Sequence, residues 1–199
     1  MTFWYLLGHS LSKAIAKTFF NYRVIGAENV IEKGPCIIAA NHCSNLDPPL
    51  VGIACQRAIH YLGKKSLLNW PVLGPIFPEL NVIPVDQKNA DRSALMGAIR
   101  VVKNGGAVLI FPEGTRSWDG DLQPAQPGIG MIVAKTGAPV VPVRVFGTFE
   151  TYPRGATLPR LSSIKVVIGK RLTFSDADFV PNRDYLGCSR LIMNAIGSL

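Results

Sequence analysis

The sequence predicts an α/β domain built on a single, mostly parallel central sheet flanked by helices, with an amphipathic helix in front of it. Three observations predict this. Short apolar runs of strand length recur along the chain, and a strand buried on both faces of a parallel sheet reads as such an unbroken run. Segments of helical periodicity alternate with these runs. Three of the runs (36–40, 59–62 and 107–111) each lead into a polar cluster, and open α/β sheets bind their ligands just past the carboxyl ends of their strands.

The 199 residues suffice for one domain with a substantial core. We divide them into an amphipathic helix over 1–21 and the α/β domain over 22–199, with no repeat, linker or low-complexity segment. In residues 2–20 the apolar side chains Trp4, Leu7, Leu11, Ile15 and Phe19 fall near one stripe. His9, Ser12, Lys13 and Lys17 fall opposite. Aromatics at both ends and lysines on the polar face suit a helix lying in a membrane interface, while packing on the domain's own core is the competing use of that stripe. A cationic start and a small-residue cleavage site, the marks of a signal peptide, are missing.

Tyr22–Val30 reads as a short strand and Glu32–Pro35 as a turn. Cys36–Ala40 is a strand that runs into Asn41-His42-Cys43-Ser44-Asn45-Leu46-Asp47-Pro48-Pro49, after which Pro49 can open a helix through Gln56. Ile59–Leu62 is a strand ending in Gly63-Lys64-Lys65, and Leu67–Phe77 a loop or short helix broken by Pro71, Gly74 and Pro75. Asn81–Val85 is a strand placed at a sheet edge by Pro84. Asp91–Lys103 is a helix closed by Gly105-Gly106. Ala107–Phe111 is a strand that breaks at Pro112 into Glu113-Gly114-Thr115-Arg116-Ser117. A helix over Pro127–Lys135, strands over Val140–Val145 and Ser163–Ile168, and a helix over Asn182–Leu199 complete the chain.

The three polar clusters would bring His42, Asp47, Lys64, Glu113 and Arg116 to one edge of the sheet. His takes up a proton near neutral pH, and a carboxylate on its other ring nitrogen fixes the tautomer and stabilises the imidazolium. Glu113, Gly114, Thr115 and Arg116 suit a phosphate-bearing substrate, since Arg forks onto phosphate and Gly lets backbone approach closely. No GxSxG elbow is present, and Cys43 and Ser44, beside the His along the chain, do not generally face it. The simpler chemistry is therefore that His42 deprotonates a substrate hydroxyl, which attacks an acyl donor directly. GxxxxGK[ST], GxGxxG and HExxH are missing, and three His with four scattered Cys make no zinc site.

A net charge of +8 implies anionic partners: a membrane surface, phosphorylated substrates or nucleic acid, the last without any accompanying binding signature. Between Glu150 and Asp176 five cations (Arg154, Arg160, Lys165, Lys170, Arg171) occur with no acid, either a solvated surface or a lipid-facing patch. No apolar run approaches the roughly 20 residues that cross a bilayer. The cysteines, without a CxxC pair, read as reduced thiols in a cytoplasmic setting.

Four blocks in order carry a family resemblance: NHCSNLDPP (41–49), GKKSL with Pro71 and Gly74 (63–74), FPEGTRS (111–117) and VVPVRVFGT (140–148), trailed by VVIGKRL (166–172). Over residues 22–172 the chain resembles the glycerolipid acyltransferases, in particular the 1-acyl-sn-glycerol-3-phosphate (lysophosphatidic acid) acyltransferases. The resemblance implies a reaction in which an acyl chain passes from acyl-CoA or acyl carrier protein to the lysophospholipid's sn-2 hydroxyl, giving phosphatidic acid. It implies His42 as general base and Asp47 as its orienting group. Glu113, Gly114, Thr115 and Arg116 would bind the acceptor, with Arg116 on its phosphate, and Lys64 would contact phosphate or the developing oxyanion. It implies neither metal nor bound cofactor, and a peripheral or monotopic place on the cytoplasmic face of the membrane. The chain departs from the family's pattern at Gln87, where many relatives have Arg. Either Lys88 or Arg92 supplies that charge instead, or the acceptor's phosphate is held differently or the acceptor is not lysophosphatidate. Glycerol-3-phosphate, another lysophospholipid or a lyso-aminolipid therefore stay open as acceptors, and a non-catalytic protein binding anionic lipid is the reading from outside enzymology.

Overall fold

In a computed structural model the chain is described over residues 2–71, 74–85, 90–175, 179 and 184–199, the side chains of 90–92 excepted. Its strands are β1 (Arg23–Ile25), β2 (Cys36–Ala40), β3 (His60–Lys64), β4 (Val82–Val85), β5 (Ala107–Ile110), β6 (Val140–Phe146) and β7 (Lys165–Ile168). Its helices are α1 (Phe3–Phe19), α2 (Asp47–Ala54), α3 (Ala90–Lys103), α4 (Gly128–Thr136), α5 (Thr148–Thr151) and α6 (Tyr185–Gly197). The expected mostly parallel sheet flanked by helices is what the chain forms.

The strands lie in the order β1-β7-β6-β2-β5-β3-β4. The five from β6 to β4 are mutually parallel, and β7 pairs antiparallel with β6. Register carries a consequence for the site. Phe146, at the carboxyl end of β6, faces Lys165, which begins β7, and Lys165 faces Arg23, which begins β1. The two reversed strands therefore start at the edge where β2, β5 and β3 finish. The end of α1 and the segment before β7 both arrive there.

Alternation along β2 divides the core. Cys36, Ile38 and Ala40 face one layer with Val51 and Leu50 of α2 and Ala16 of α1. Ile37 and Ala39 face the other, with Ala98 and Val102 of α3, Ile132 of α4 and Ile192 of α6. Pro84 does lie on an edge strand, β4, where its missing N–H leaves no ladder bond unmade. Tyr22–Val30 is shorter as a strand than the sequence suggests: Gly26, at φ 78°, turns the chain into a single 3-10 turn over Ala27–Asn29. Gln87 and Lys88, and the side chain of Arg92, lie outside the described residues.

The outer helix α1 is capped by Thr2, whose hydroxyl accepts from Tyr5 N–H. It packs on α2 through a narrow face. Tyr5 and Ala16 are buried, and the Tyr5 hydroxyl accepts from Ile59 N–H at 3.1 Å. Its apolar stripe faces the other way: Trp4, Leu7, Leu11, Ile15 and Phe19 are all exposed.

The close approach of α4 and α6 depends on Gly130, which is buried and whose N–H donates to Ser189 Oγ at 3.1 Å. A Cβ there would collide with the carbonyl oxygen of Tyr185. Gly130→Ala should therefore lower the urea midpoint despite a helix-propensity gain of roughly 1 kcal/mol. Overpacking against rigid backbone costs about 3 kcal/mol, for a net loss on the order of 2 kcal/mol. An unchanged or raised midpoint would refute the close-packing account.

Candidate active site

Strand β2 ends in an asparagine that acts as an extra rung of the sheet. The Asn41 side chain donates to Val145 C=O at 3.0 Å and accepts from Val145 N–H at 2.7 Å. Its amide thus satisfies β6 where the main chain of β2 turns away. Beyond it, residues 42–47 close on one oxygen. Asp47 Oδ2 accepts from Cys43 N–H and Ser44 N–H, both at 2.7 Å, and pairs with His42 Nδ1 at 2.8 Å. Asp47 is fully buried in the first turn of α2, whose prolines Pro48 and Pro49 have no N–H to compete for it. Among the described residues His42–Asp47 is the one contact between a basic and an acidic side chain within salt-bridge distance.

Because the carboxylate accepts, Nδ1 carries the proton and Nε2 presents a lone pair. The ring stacks on Phe111 with centroids 3.9 Å apart and planes 13° from parallel, and its side chain keeps 17% exposure. One face is thus fixed by an aromatic and one nitrogen by a carboxylate, which leaves Nε2 without a hydrogen bond among the described residues.

Strand β5 feeds the second loop. Gly114 N–H donates to Phe111 C=O in a tight turn, with Gly114 at φ 71°, a conformation that favours glycine. This turn directs Glu113 inward, where it is 3% exposed. Its Oε1 accepts from His42 N–H at 2.8 Å and its Oε2 from Gln123 N–H at 3.1 Å. Ser117 N–H then donates to His42 C=O at 2.7 Å, so the loop grips the His42 main chain from both sides. Burial raises the Glu113 carboxyl from its ordinary 4.5 to about 7; the two N–H donors pull it down in part, and Asp47 pushes it up.

The residues singled out from sequence separate into two groups. His42, Asp47 and Glu113 are interlocked. Gly114 and Thr115 are exposed and Arg116 half-buried on the same loop, and among the described residues no hydrogen bond or ion pair engages the Arg116 guanidinium. Lys64 ends β3 at the same sheet edge, exposed, without a hydrogen bond to the His42 loop. The sequence reading placed Glu113 on a substrate, whereas both its oxygens are engaged by backbone N–H groups. Asn41, Phe111 and Ser117 were not assigned roles from sequence. Each stands in or beside a motif, the one available signal, but its partner is distant in sequence: Val145 on β6 for Asn41, and His42, in the loop after β2, for Phe111 and Ser117.

The neighbours of His42 are sequestered. Ser44 is fully buried and its hydroxyl donates to Tyr152 C=O at 2.7 Å. Burial pushes the Cys43 thiol up to about 12, helped by Asp47 and Glu113. Among the described residues no three of His, Cys, Asp and Glu come together as a metal site.

Residues 21–146 match the family model described as "Acyltransferase". The chain is 32% identical over 166 residues to the chloroplastic 1-acyl-sn-glycerol-3-phosphate acyltransferase BAT2 of Brassica napus, covering 81% of this chain and 48% of that protein. It is 28% identical over 173 residues to the 1-acyl-sn-glycerol-3-phosphate acyltransferase of Bacillus subtilis, covering 86% and 84%. It thus spans about half the length of the plant relative. In structure it resembles the 1-acyl-sn-glycerophosphate acyltransferase PlsC of Thermotoga maritima, with a TM-score of 0.80, 25% identity, and coverage of 97% of this chain and 78% of that one.

The raised Glu113 carboxyl has a measurable consequence. Between pH 4.5 and about 7 the folded chain holds a proton that the unfolded chain has released, so this group's contribution to stability falls as pH rises through that window. Glu113→Gln abolishes that contribution and misplaces one acceptor. Urea unfolding should show the variant less stable than the native protein at pH 4.5, with the gap narrowing toward pH 7. A gap independent of pH would mean Glu113 does not titrate there.

Proposed function

The chain belongs to the acyltransferase family, and from that membership we propose that it transfers an acyl chain from acyl-CoA or acyl carrier protein to the sn-2 hydroxyl of 1-acyl-sn-glycerol-3-phosphate, giving phosphatidic acid. The observation that carries this reading is the His42 Nδ1–Asp47 Oδ2 bond, which leaves Nε2 free beside the Arg116 loop.

His42 Nε2 takes the proton of the acceptor hydroxyl as its oxygen attacks the thioester carbonyl. Asp47 stabilises the imidazolium that forms. The tetrahedral oxyanion then collapses, the C–S bond breaks, and the leaving thiolate takes the proton from His42. Arg116 holds the acceptor's phosphate in a charge-assisted fork, with the Thr115 hydroxyl and the backbone at Gly114 beside it. Lys64 contacts phosphate or oxyanion from the next strand over. Glu113 acts through the His42 main chain as a positioning residue. Direct transfer without an acyl-enzyme is supported by the hydrogen-bonded, buried Ser44 and the protonated Cys43. The groups described supply this chemistry without a bound cofactor.

No helix among the described residues is long and apolar enough to cross a membrane. The outward stripe of α1 supports a peripheral or monotopic seat, which we place on the anionic, cytoplasmic face.

His42→Ala should lower kcat by about 10²–10⁴-fold, the usual worth of general acid–base catalysis. Stability should survive, because the bonds from Glu113 and Ser117 reach His42 main-chain atoms. Turnover near the native rate would exclude His42 as the base. Arg116→Ala should raise the KM for lysophosphatidate and leave that for the thioester unmoved; the reverse pattern would remove Arg116 from the phosphate. Leu7→Glu with Leu11→Glu, both exposed, should weaken binding to anionic vesicles and turnover of long-chain lipid, sparing a short-chain soluble acceptor. Equal loss on both acceptors would argue for a packing role instead.

A further inference from the structure

Residues 152–163, between α5 and β7, play no part in the chemistry above, yet both ends of this loop are anchored. At one end Tyr152 C=O accepts from Ser44 Oγ, in the His42 loop. Nearby, Arg160 N–H donates to Thr151 C=O at 2.7 Å, and the Thr151 and Ser162 hydroxyls are in contact. At the other end Ser163 Oγ accepts from Asn21 Nδ2 at 3.2 Å, and Ile164 N–H donates to Phe20 C=O at 2.9 Å. The loop therefore bridges the candidate active site and the end of α1, at the sheet edge to which β7 and β1 return.

Its tip is apolar and unburied. Leu158 and Leu161 are 77% and 78% exposed, more than any other large apolar side chain described. Its charge is of one sign: Arg154 and Arg160 belong to the acid-free stretch between Glu150 and Asp176, and neither forms an ion pair among the described residues. Arg154 instead stacks on the exposed ring of Trp118, 3.7 Å from its centroid, one residue past Ser117. Exposed leucines, arginines without an ion pair and an exposed tryptophan under one of them make up the composition that suits a bilayer interface. An acidic protein partner would account for the arginines and leave the two leucines without use.

We infer that residues 152–163 form a second membrane-contact element, which inserts Leu158 and Leu161 into the surface of an anionic bilayer and sets Arg154 and Arg160 at its phosphates. With the exposed stripe of α1 it would give the protein two lipid contacts, one on each side of the Asn21–Ser163 junction. The inference rests on the lipid-substrate reading of the site and deepens it, since the loop that meets the lipid is the one bonded to Ser44.

The test leaves α1 intact and needs no turnover. Leu158→Cys is labelled with a polarity-sensitive fluorophore, the four native cysteines being buried. On phosphatidylglycerol vesicles the label should shift to the blue and be quenched by lipids brominated on their chains. Leu158→Asp with Leu161→Asp should lower partitioning onto those vesicles about tenfold or more. Arg154→Gln with Arg160→Gln should reduce the preference for phosphatidylglycerol over phosphatidylcholine by about fivefold per arginine. A label at 158 that stays in water while one at Leu11 is quenched would overturn the inference, as would native partitioning of the aspartate variant. Failure of the acyl-transfer reading would appear separately, as no turnover of a short-chain soluble acceptor by the native protein.

Discussion

Glu113 ties two strand ends together. It accepts His42 N–H with one oxygen and Gln123 N–H with the other, while Ser117 N–H holds the His42 carbonyl. Such loops would otherwise move independently, since each is fastened only to its own strand. With the latch closed, the ring of His42 has one place to lie, between Asp47 Oδ2 and the face of Phe111. A buried carboxylate accepting two backbone donors is costly to form unless the donors are fixed in advance, and the flanking strands β2 and β5 are hydrogen-bonded neighbours in register. Sheet pairing sets the latch, and the latch sets the imidazole.

The sheet's strands were largely legible in the sequence because they are buried on both faces. Cys36–Ala40 and Ala107–Ile110 read as unbroken apolar runs, and burial of every residue in them is the reason. Helix ends marked by glycine or proline were likewise recoverable, as at Gly105 and Pro127. The order of the strands was not, and neither was the reversal at β7. The apolar run of β7 reads the same whichever way it points, and its antiparallel pairing with β6 is a long-range fact that the run does not encode.

For the site, residue types and spacing were enough to pick out His42 and Asp47, because the loop between them is short and local. What depended on long-range partners was hidden. Asn41 precedes a histidine in sequence, yet its partner Val145 is 104 residues away. Glu113 looked like a group for a ligand because an acid beside glycine and arginine at a strand end is usually exposed; the turn at Gly114 sends it inward instead. In α1 the periodicity identified an apolar stripe without indicating which side meets the protein. Tyr5 and Ala16, a polar-tipped ring and a methyl, take the inner face, where the Tyr5 hydroxyl bonds to Ile59 N–H.

Cys43 carries an implication for chemical wear. The proposed acyl transfer would release a thiol beside His42 at each cycle, and disulfide forms of such carriers exchange with any nearby thiolate. Cys43 stands next to the histidine in sequence. Its thiol is sealed from solvent and held protonated by burial and by the negative groups around it. The burial and the carboxyl groups that shape the His42 loop thus also hold the Cys43 thiol in its protonated, unreactive form.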